Sequence, residues 1–283
     1  MPSDPQSHTL YLVGTPIGNL EDISLRAIRI LKEADLIAAE DTRHTGKLLH
    51  HFQITTPQIS YHEHNCQSRT LELIDRLRQG SSIALVSDAG MPGISDPGYD
   101  LVKACRDQGI NVVPVPGPNA AIAALVASGL SSQRFAFEGF LPAKSQARRA
   151  YLETLKAESR TLVFYEAPHR LRQTLQDLAL LGEDRQIVLA RELTKLHEEF
   201  WQGTIAAAIA HYAQREPQGE FTLVVAGAST STPVLSDTAL LNELQALLRQ
   251  GLSRSEASRQ LAQQTALPRR QIYQLALSLP DEA

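Results

Sequence analysis

Glycine and proline are concentrated in loops that directly follow short apolar runs, and this arrangement limits the folds open to the chain. Thr9 to Val13 reads as a buried strand, and Gly14-Thr15-Pro16-Ile17-Gly18-Asn19 follows it. Ser82 to Val86 is the clearest buried strand, and the loop from Asp88 to Gly98 follows it. Asn111 to Val115 is the next, running into Pro116-Gly117-Pro118-Asn119 and then a small-residue helix from Ala120 to Ser128. Further strands are predicted at Asp35 to Ala39 and Gln58 to Tyr61. Helices fall between them at Ser24 to Glu33, Thr42 to His51 and about Gln67 to Gln79. Alternation of this kind specifies a mostly parallel sheet covered on both faces. In such sheets ligands bind beyond the carboxyl ends of the strands, so the three loops are expected to share one crevice. Glycine lets a backbone approach a ligand closely, and proline stiffens the loop around it.

The obvious nucleotide-binding motifs are missing. Gly14 and Gly18 are four apart with Pro16 between them, so no G-x-G-x-x-G follows the first strand, and no G-x-x-x-x-G-K-[ST] occurs. His62 and His64 lack a third ligand nearby, and Cys66 and Cys105 have no ligand-like spacing. No metal is therefore expected, and both thiols are expected to be free in a reducing cytosol.

After residue 120 the pattern changes. Strands are predicted at Phe135 to Glu138, Thr161 to Tyr165, Ile187 to Ala190 and Phe221 to Val225. A short charged one at Glu198 to Gln202 suits a sheet edge. Helices from Ala143 to Lys156 and from His169 to Leu181 complete a second α/β domain with a mixed sheet. Ala228 to Asp237 reads as a linker, and Thr238 to Leu279 is helical throughout. The expected domains are 9–120, 121–230 and 237–283. With 43% apolar and 20% charged residues, the 283-residue chain has the composition of a soluble globular protein. Its longest apolar stretch, Ala120 to Leu130, is too short to span a bilayer, and Met1 to Thr9 has no signal-peptide character. A cytoplasmic protein with no membrane partner is expected. The net charge of −4 leaves any nucleic-acid binding to a local basic surface.

Several motifs, in order, carry a resemblance. They are Leu12 to Leu20, Ala39-Glu40-Asp41-Thr42-Arg43, Val86 to Gly90 with Ile94 to Gly98, and Val115 to Pro118. Glu138 to Pro142, Phe164 to Arg170 and Ala190 to Lys195 continue the series. Together they resemble the ribosomal RNA small subunit methyltransferase I family, within the tetrapyrrole-methylase superfamily, from about Thr9 to Gly227. The resemblance implies two α/β domains with S-adenosylmethionine in the cleft between them, and a homodimer. It implies methylation of the ribose 2′-hydroxyl of a cytidine in the decoding region of 16S rRNA, within the small ribosomal subunit. Carried over by motif, Pro16, Asp88, Gly90, Met91, Ile94, Asn119, Ala120, Glu166 and Ala167 would hold the cofactor, with Glu192 or Thr222 less directly implied. Met91 stands where relatives commonly carry Thr, a departure that a backbone contact would tolerate.

A ribose hydroxyl is a poor nucleophile, so a base or a cation near it should assist. Asp88, Glu40, Asp41, Arg43 and His62 are the candidates, and no one of them is singled out. Asp41 and Arg43 would equally serve as a helix cap, His62 and His64 as loop residues, and Glu166, His169 and Arg170 as caps of the helix beginning at Pro168. For RNA, Lys144, Arg148 and Arg149 place three charges on one predicted helix, and Arg170 is a further candidate. Ser253 to Gln264 and Pro268 to Leu279, joined by a turn at Thr265 to Leu267, resemble a helix-turn-helix with Arg269 and Arg270 opening the second helix. A small packing domain with solvated arginines is the other reading of that tail. A tetrapyrrole or small-molecule methylase, or a DNA-binding regulator with an α/β sensor, are the competing functions.

Overall fold

A computed structural model of the chain describes residues 5–228, 237–265 and 267–279. Residues up to Ala228 form one compact unit and those from Ser229 a second. The linker expected at Ala228 to Asp237 falls almost wholly outside the described residues, as does Ala266 of the expected C-terminal turn.

The first unit holds two five-stranded sheets. Strands β1 (Thr9–Val13), β2 (Leu36–Ala39), β3 (Gln58–Ser60), β4 (Ser82–Val86) and β5 (Asn111–Val115) are all parallel, in the order β3-β2-β4-β1-β5. Helices α1 (Leu25–Glu33), α2 (Thr42–His51), α3 (Cys66–Arg78) and α4 (Tyr99–Asp107) connect them. Successive strand side chains point to opposite faces. Tyr11, Val13, Ile37, Ala39, Ala84 and Val86 therefore pack with Ile30 and Leu31 of α1 and Leu48 of α2. Leu10, Leu36, Ala38, Ile83 and Leu85 pack on the other side with Leu73 and Leu77 of α3 and Leu101 of α4. The expected parallel sheet, covered on both faces, is the one observed.

Helix α5 (Ala120–Ala127) leaves this sheet, and its Ala121, Ala124 and Leu125 pack against Val163, Val188 and Val224 of the second sheet. That sheet contains β6 (Phe135–Phe140), β7 (Thr161–Glu166), β8 (Gln186–Arg191), β9 (Glu199–Thr204) and β10 (Phe221–Val225), in the order β6-β7-β10-β8-β9. Only the β6–β7 pair is parallel, so the sheet is mixed as expected, and the charged β9 lies at its edge. Helices α6 (Ser145–Leu155), α7 (Pro168–Leu178) and α8 (Ile205–Gln214) cover the face opposite α5.

The second unit contains α9 (Asp237–Arg249), α10 (Arg254–Gln264) and α11 (Arg269–Leu277) around Leu240, Leu244, Leu261 and Ile272. Ser253 caps α10 in a full capping box with Glu256, which satisfies two of the free N–H groups at the helix start. Arg269 and Arg270 are exposed at the start of α11, as a helix-turn-helix reading requires.

One expectation fails outright. Arg148 is fully buried rather than displayed to solvent. Its Nε donates to Asp177 Oδ2 at 2.8 Å, and one Nη donates to the carbonyls of Pro142 and Ala143. It joins α6 to α7 and cannot form part of a basic surface. Lys144 and Arg149 of the same segment are exposed. Arg170 is turned inward to the Leu141 carbonyl and to Glu166. Both cysteines are free, with Cys105 buried and Cys66 half-buried.

Candidate active site

Adjacent strands β4, β1 and β5 end side by side, which brings the three glycine- and proline-rich loops together. The chain leaves β1 toward β2 and leaves β4 toward β5, in opposite directions across the sheet. The β1–β4 boundary is thus the topological switch point, where an open α/β sheet forms its crevice. The loops are joined through backbone. Thr15 N–H donates to Gly90 O at 2.9 Å and Gly90 N–H donates to Thr15 O at 3.1 Å. A Cβ on Gly14 would lie 2.8 Å from Gly117 Cα, and one on Gly117 would lie 2.8 Å from Gly14 O. Neither position tolerates a side chain.

The other wall comes from the second sheet. Gly18 lies so close to the segment after β8 that its Cβ would be 2.7 Å from Thr194 Oγ1. The Asn19 N–H donates to that hydroxyl at 3.0 Å. Tyr165 and Glu166 at the end of β7 pair with Thr222 and Phe221 at the start of β10. The cleft enclosed is open to solvent and has about 890 Å³ of free space. Ile17, Met91, Ile94, Phe140 and Leu193 are its apolar surface, and Asp96, Glu166 and Glu220 are its carboxylates. No Lys, Arg or His is among the described residues that line it. A phosphate ligand would find no cation there, whereas a sulfonium or ammonium group would find opposite charge. The donor set fits S-adenosylmethionine, which carries both cations and no phosphate.

Of the residues expected to hold the cofactor, Gly90, Met91, Ile94, Asn119, Ala120 and Glu166 line the cleft, and so does Thr222. Pro16, Asp88, Ala167 and Glu192 are not in the lining. Glu166 is buried and held on all sides. It accepts from the Ala167 N–H, pairs with Arg170 at 3.3 Å and receives the Thr174 hydroxyl.

The expected catalytic residues separate into two groups. Asp41 caps α2, accepting from Arg43 N–H at 2.8 Å, and the Arg43 guanidinium holds its carboxyl well below the usual range. Both belong to the cap, and neither lines the cleft. His62 sits in a turn whose N–H donates to Asn65 Oδ1 at 2.9 Å, beside His64. Among the described residues no group of three or more His, Cys, Asp or Glu is placed to hold a metal ion. Glu40 and Asp88 do converge. Glu40 Oε2 accepts from the Asp88 N–H at 3.2 Å, and Asp88 Oδ1 accepts from the Asp41 N–H at 3.2 Å. Burial first, then the Asp88 and Asp41 charges, raise the Glu40 carboxyl above its ordinary value.

Sequence reasoning missed Ser95, Asp96, Phe140, Tyr165, Glu220 and Phe221, all in the lining. A second cavity, also lined by Glu40, Tyr61, Glu63, Tyr99 and Asp100, adjoins the cleft and shares Ser95 and Asp96 with it. Burial, then the nearby Glu40, with a smaller contribution from Asp88, pushes the Asp96 carboxyl up to about 6. An acid immediately before proline inside the longest glycine-rich loop was the one available signal.

Comparison with known proteins agrees with this arrangement. A family model for the Tetrapyrrole (Corrin/Porphyrin) Methylases matches residues 9–209. The Ribosomal RNA small subunit methyltransferase I of Synechocystis sp. is 59% identical over 272 residues, covering 95% of this chain and 98% of that protein. Its namesake in Escherichia coli O157:H7 is 48% identical over 278 residues, covering 97% and 96%. Among solved structures, a diphthine synthase superposes with TM-score 0.58 at 15% identity, over 77% of this chain and 90% of its own. A Thermus thermophilus uroporphyrin-III C-methyltransferase complexed with S-adenyl homocysteine does so with TM-score 0.53 at 18%, over 76% and 96%. These two support the fold alone. With motifs, fold and cleft in agreement, the chain belongs to the tetrapyrrole methylase family and, within it, to the ribosomal RNA small subunit methyltransferase I family.

Proposed function

We propose that this chain transfers a methyl group from S-adenosylmethionine to the ribose 2′-hydroxyl of a cytidine in the decoding region of 16S rRNA. The observation that carries the reading is the set of relatives named for methylation of small-subunit ribosomal RNA, alike over nearly the whole chain. The substrate is rRNA within the small ribosomal subunit, and the enzyme acts in the cytoplasm as a homodimer.

Gly90, Met91, Ile94, Asn119, Ala120 and Glu166 would hold the cofactor, whereas Pro16, Asp88 and Ala167, also expected to hold it, lie outside the lining. When bound, it supplies a methyl carbon made electrophilic by a sulfonium. The protein's tasks are alignment and exclusion of water. The interlocked Gly14, Gly90 and Gly117 backbones fix the floor of the cleft. Ile17, Met91, Phe140 and Leu193 give it an apolar wall that would help exclude water once the cofactor is bound. Glu166, fixed by Arg170 and Thr174, presents a carboxylate that does not reorganise. Lys144 and Arg149 at the start of α6, and Arg269 and Arg270 on α11, are exposed cations that would meet RNA phosphates.

The test is incubation of the purified protein with labelled S-adenosylmethionine and either small subunits or free 16S rRNA, followed by nucleoside analysis. Label in 2′-O-methylcytidine is expected. Label on a uroporphyrinoid and none on RNA would overturn the proposal.

A further inference from the structure

We infer that Asp96 is the base that takes the proton from the attacking hydroxyl. The inference rests on the ribose-hydroxyl reading above and adds the proton acceptor that reading lacks. Asp96 is the ionisable residue lining both the cofactor cleft and the cavity beside it. A nucleophile entering through the second cavity meets this side chain on its way to the first.

Its backbone is held firmly. Ser95 adopts a left-handed φ of 61°, which an L-residue with a side chain takes only under strain. Pro97 confines Asp96 itself to extended conformations. Gly139, also left-handed, allows the approach, because its Cβ would lie 3.2 Å from Ser95 Oγ. Strain of this kind persists where the surroundings impose it, and here it aims one carboxylate at the junction of two cavities.

The neighbouring acids are otherwise engaged. Glu40 and Asp88 accept the backbone N–H groups of Asp88 and Asp41, Asp41 holds Arg43, and Glu166 is fixed within the second sheet. The charged or titratable groups facing Asp96 are Glu40 and Asp88 from the first sheet, Tyr165, Glu166 and Glu220 across the cleft, and Tyr61, Glu63, Cys66, Tyr99 and Asp100 across the second cavity, and the Ser87 side chain hydrogen-bonds to it. Burial first, then the Glu40 and Asp88 charges, outweigh the Ser87 bond, so Asp96 binds a proton more readily than a free aspartate. A base performs best when its proton affinity matches the working pH. In the step, the ribose oxygen gains the methyl carbon as the carbon–sulfur bond breaks. The bonding pair stays on sulfur as a neutral thioether, and the hydroxyl proton passes to Asp96 and then to water in the open cavity.

The test compares full-length wild type with Asp96→Asn and Asp96→Glu on small subunits. Single-turnover methylation by Asp96→Asn should fall by about 10²–10⁴-fold. Calorimetric affinity for S-adenosylmethionine should change less than about threefold, a difference below 0.7 kcal/mol. The wild-type rate should rise tenfold per pH unit below about 6 and then level. Asp96→Asn should lose that limb, and Asp96→Glu should retain it at a reduced rate. Carboxyl carbon NMR on the cofactor-free protein should find one resonance titrating near 6 that is absent from Asp96→Asn. A wild-type rate or an unchanged acid limb in Asp96→Asn overturns the assignment to Asp96 alone. A methyl group found on the base instead of O2′ in wild type overturns the underlying reading as well.

Discussion

Replacing Arg148 with alanine distinguishes a structural arginine from an RNA ligand. The side chain is fully buried, and its partner Asp177 is nearly so, at 8% exposure. Removing the guanidinium leaves the Asp177 carboxylate with the Ser145 hydroxyl at 3.2 Å and the exposed Arg149 at 4.0 Å. Breaking a buried pair by deleting one partner costs about 3–5 kcal/mol, because the survivor stays charged and poorly solvated. The lost bonds to the Pro142 and Ala143 carbonyls act in the same direction, so the whole effect is expected within that range. The double variant Arg148→Met, Asp177→Leu removes both charges and keeps the volume, and should lie near or above wild type. The assay is urea unfolding followed by fluorescence of Trp201, the single tryptophan, which packs against the core beneath α6 and α7. With a slope near 3 kcal/mol/M, Arg148→Ala should move the midpoint down by about 1–1.7 M. A loss below about 1 kcal/mol with an unchanged slope, accompanied by weaker rRNA binding, would refute the buried pairing.

Other outcomes follow from the same structure. Gly14→Ala should weaken S-adenosylmethionine binding at least tenfold by calorimetry, because the new methyl would meet Gly117 and Met91, and unchanged affinity would show that the loops yield. Asp96→Asn should be more stable than wild type at pH 7.5. The raised folded value makes the charged form costly above about 6, and that cost disappears as pH falls toward the unfolded value near 4, so the two melting curves should converge there. A constant gap would refute this origin. Arg269→Ala with Arg270→Ala should lower rRNA affinity and reduce its salt slope by about 1 per charge, whereas an unchanged slope would remove the tail from the RNA surface.

Much of this was legible in the sequence because it is local. A buried strand followed by glycine and proline states its meaning within ten residues, and β1, β4 and β5 with their loops were placed correctly. Charge on a helix is not local in that sense. Arg148 and Arg149 are equivalent in composition, and only the Asp177 of α7, 29 positions away, decides which one is buried. The surroundings of Asp96 likewise depend on loops from β2 and β4 meeting, and Phe221 and Thr222 reach the cleft only because β10 pairs with β7. Asp41 and Arg43 were legible in the opposite way. Their spacing suited both a cap and a site, and the structure shows the cap.

The absence of basic side chains from the cleft lining, among the described residues, also bears on turnover. Methyl donation removes one positive charge from the cofactor, while Glu166 and Glu220 of the wall keep their carboxylates. The attraction that favoured the loaded cofactor therefore no longer retains the spent one. The expected outcome is weaker calorimetric binding of the demethylated cofactor than of S-adenosylmethionine, and equal affinities would refute this role of the charge.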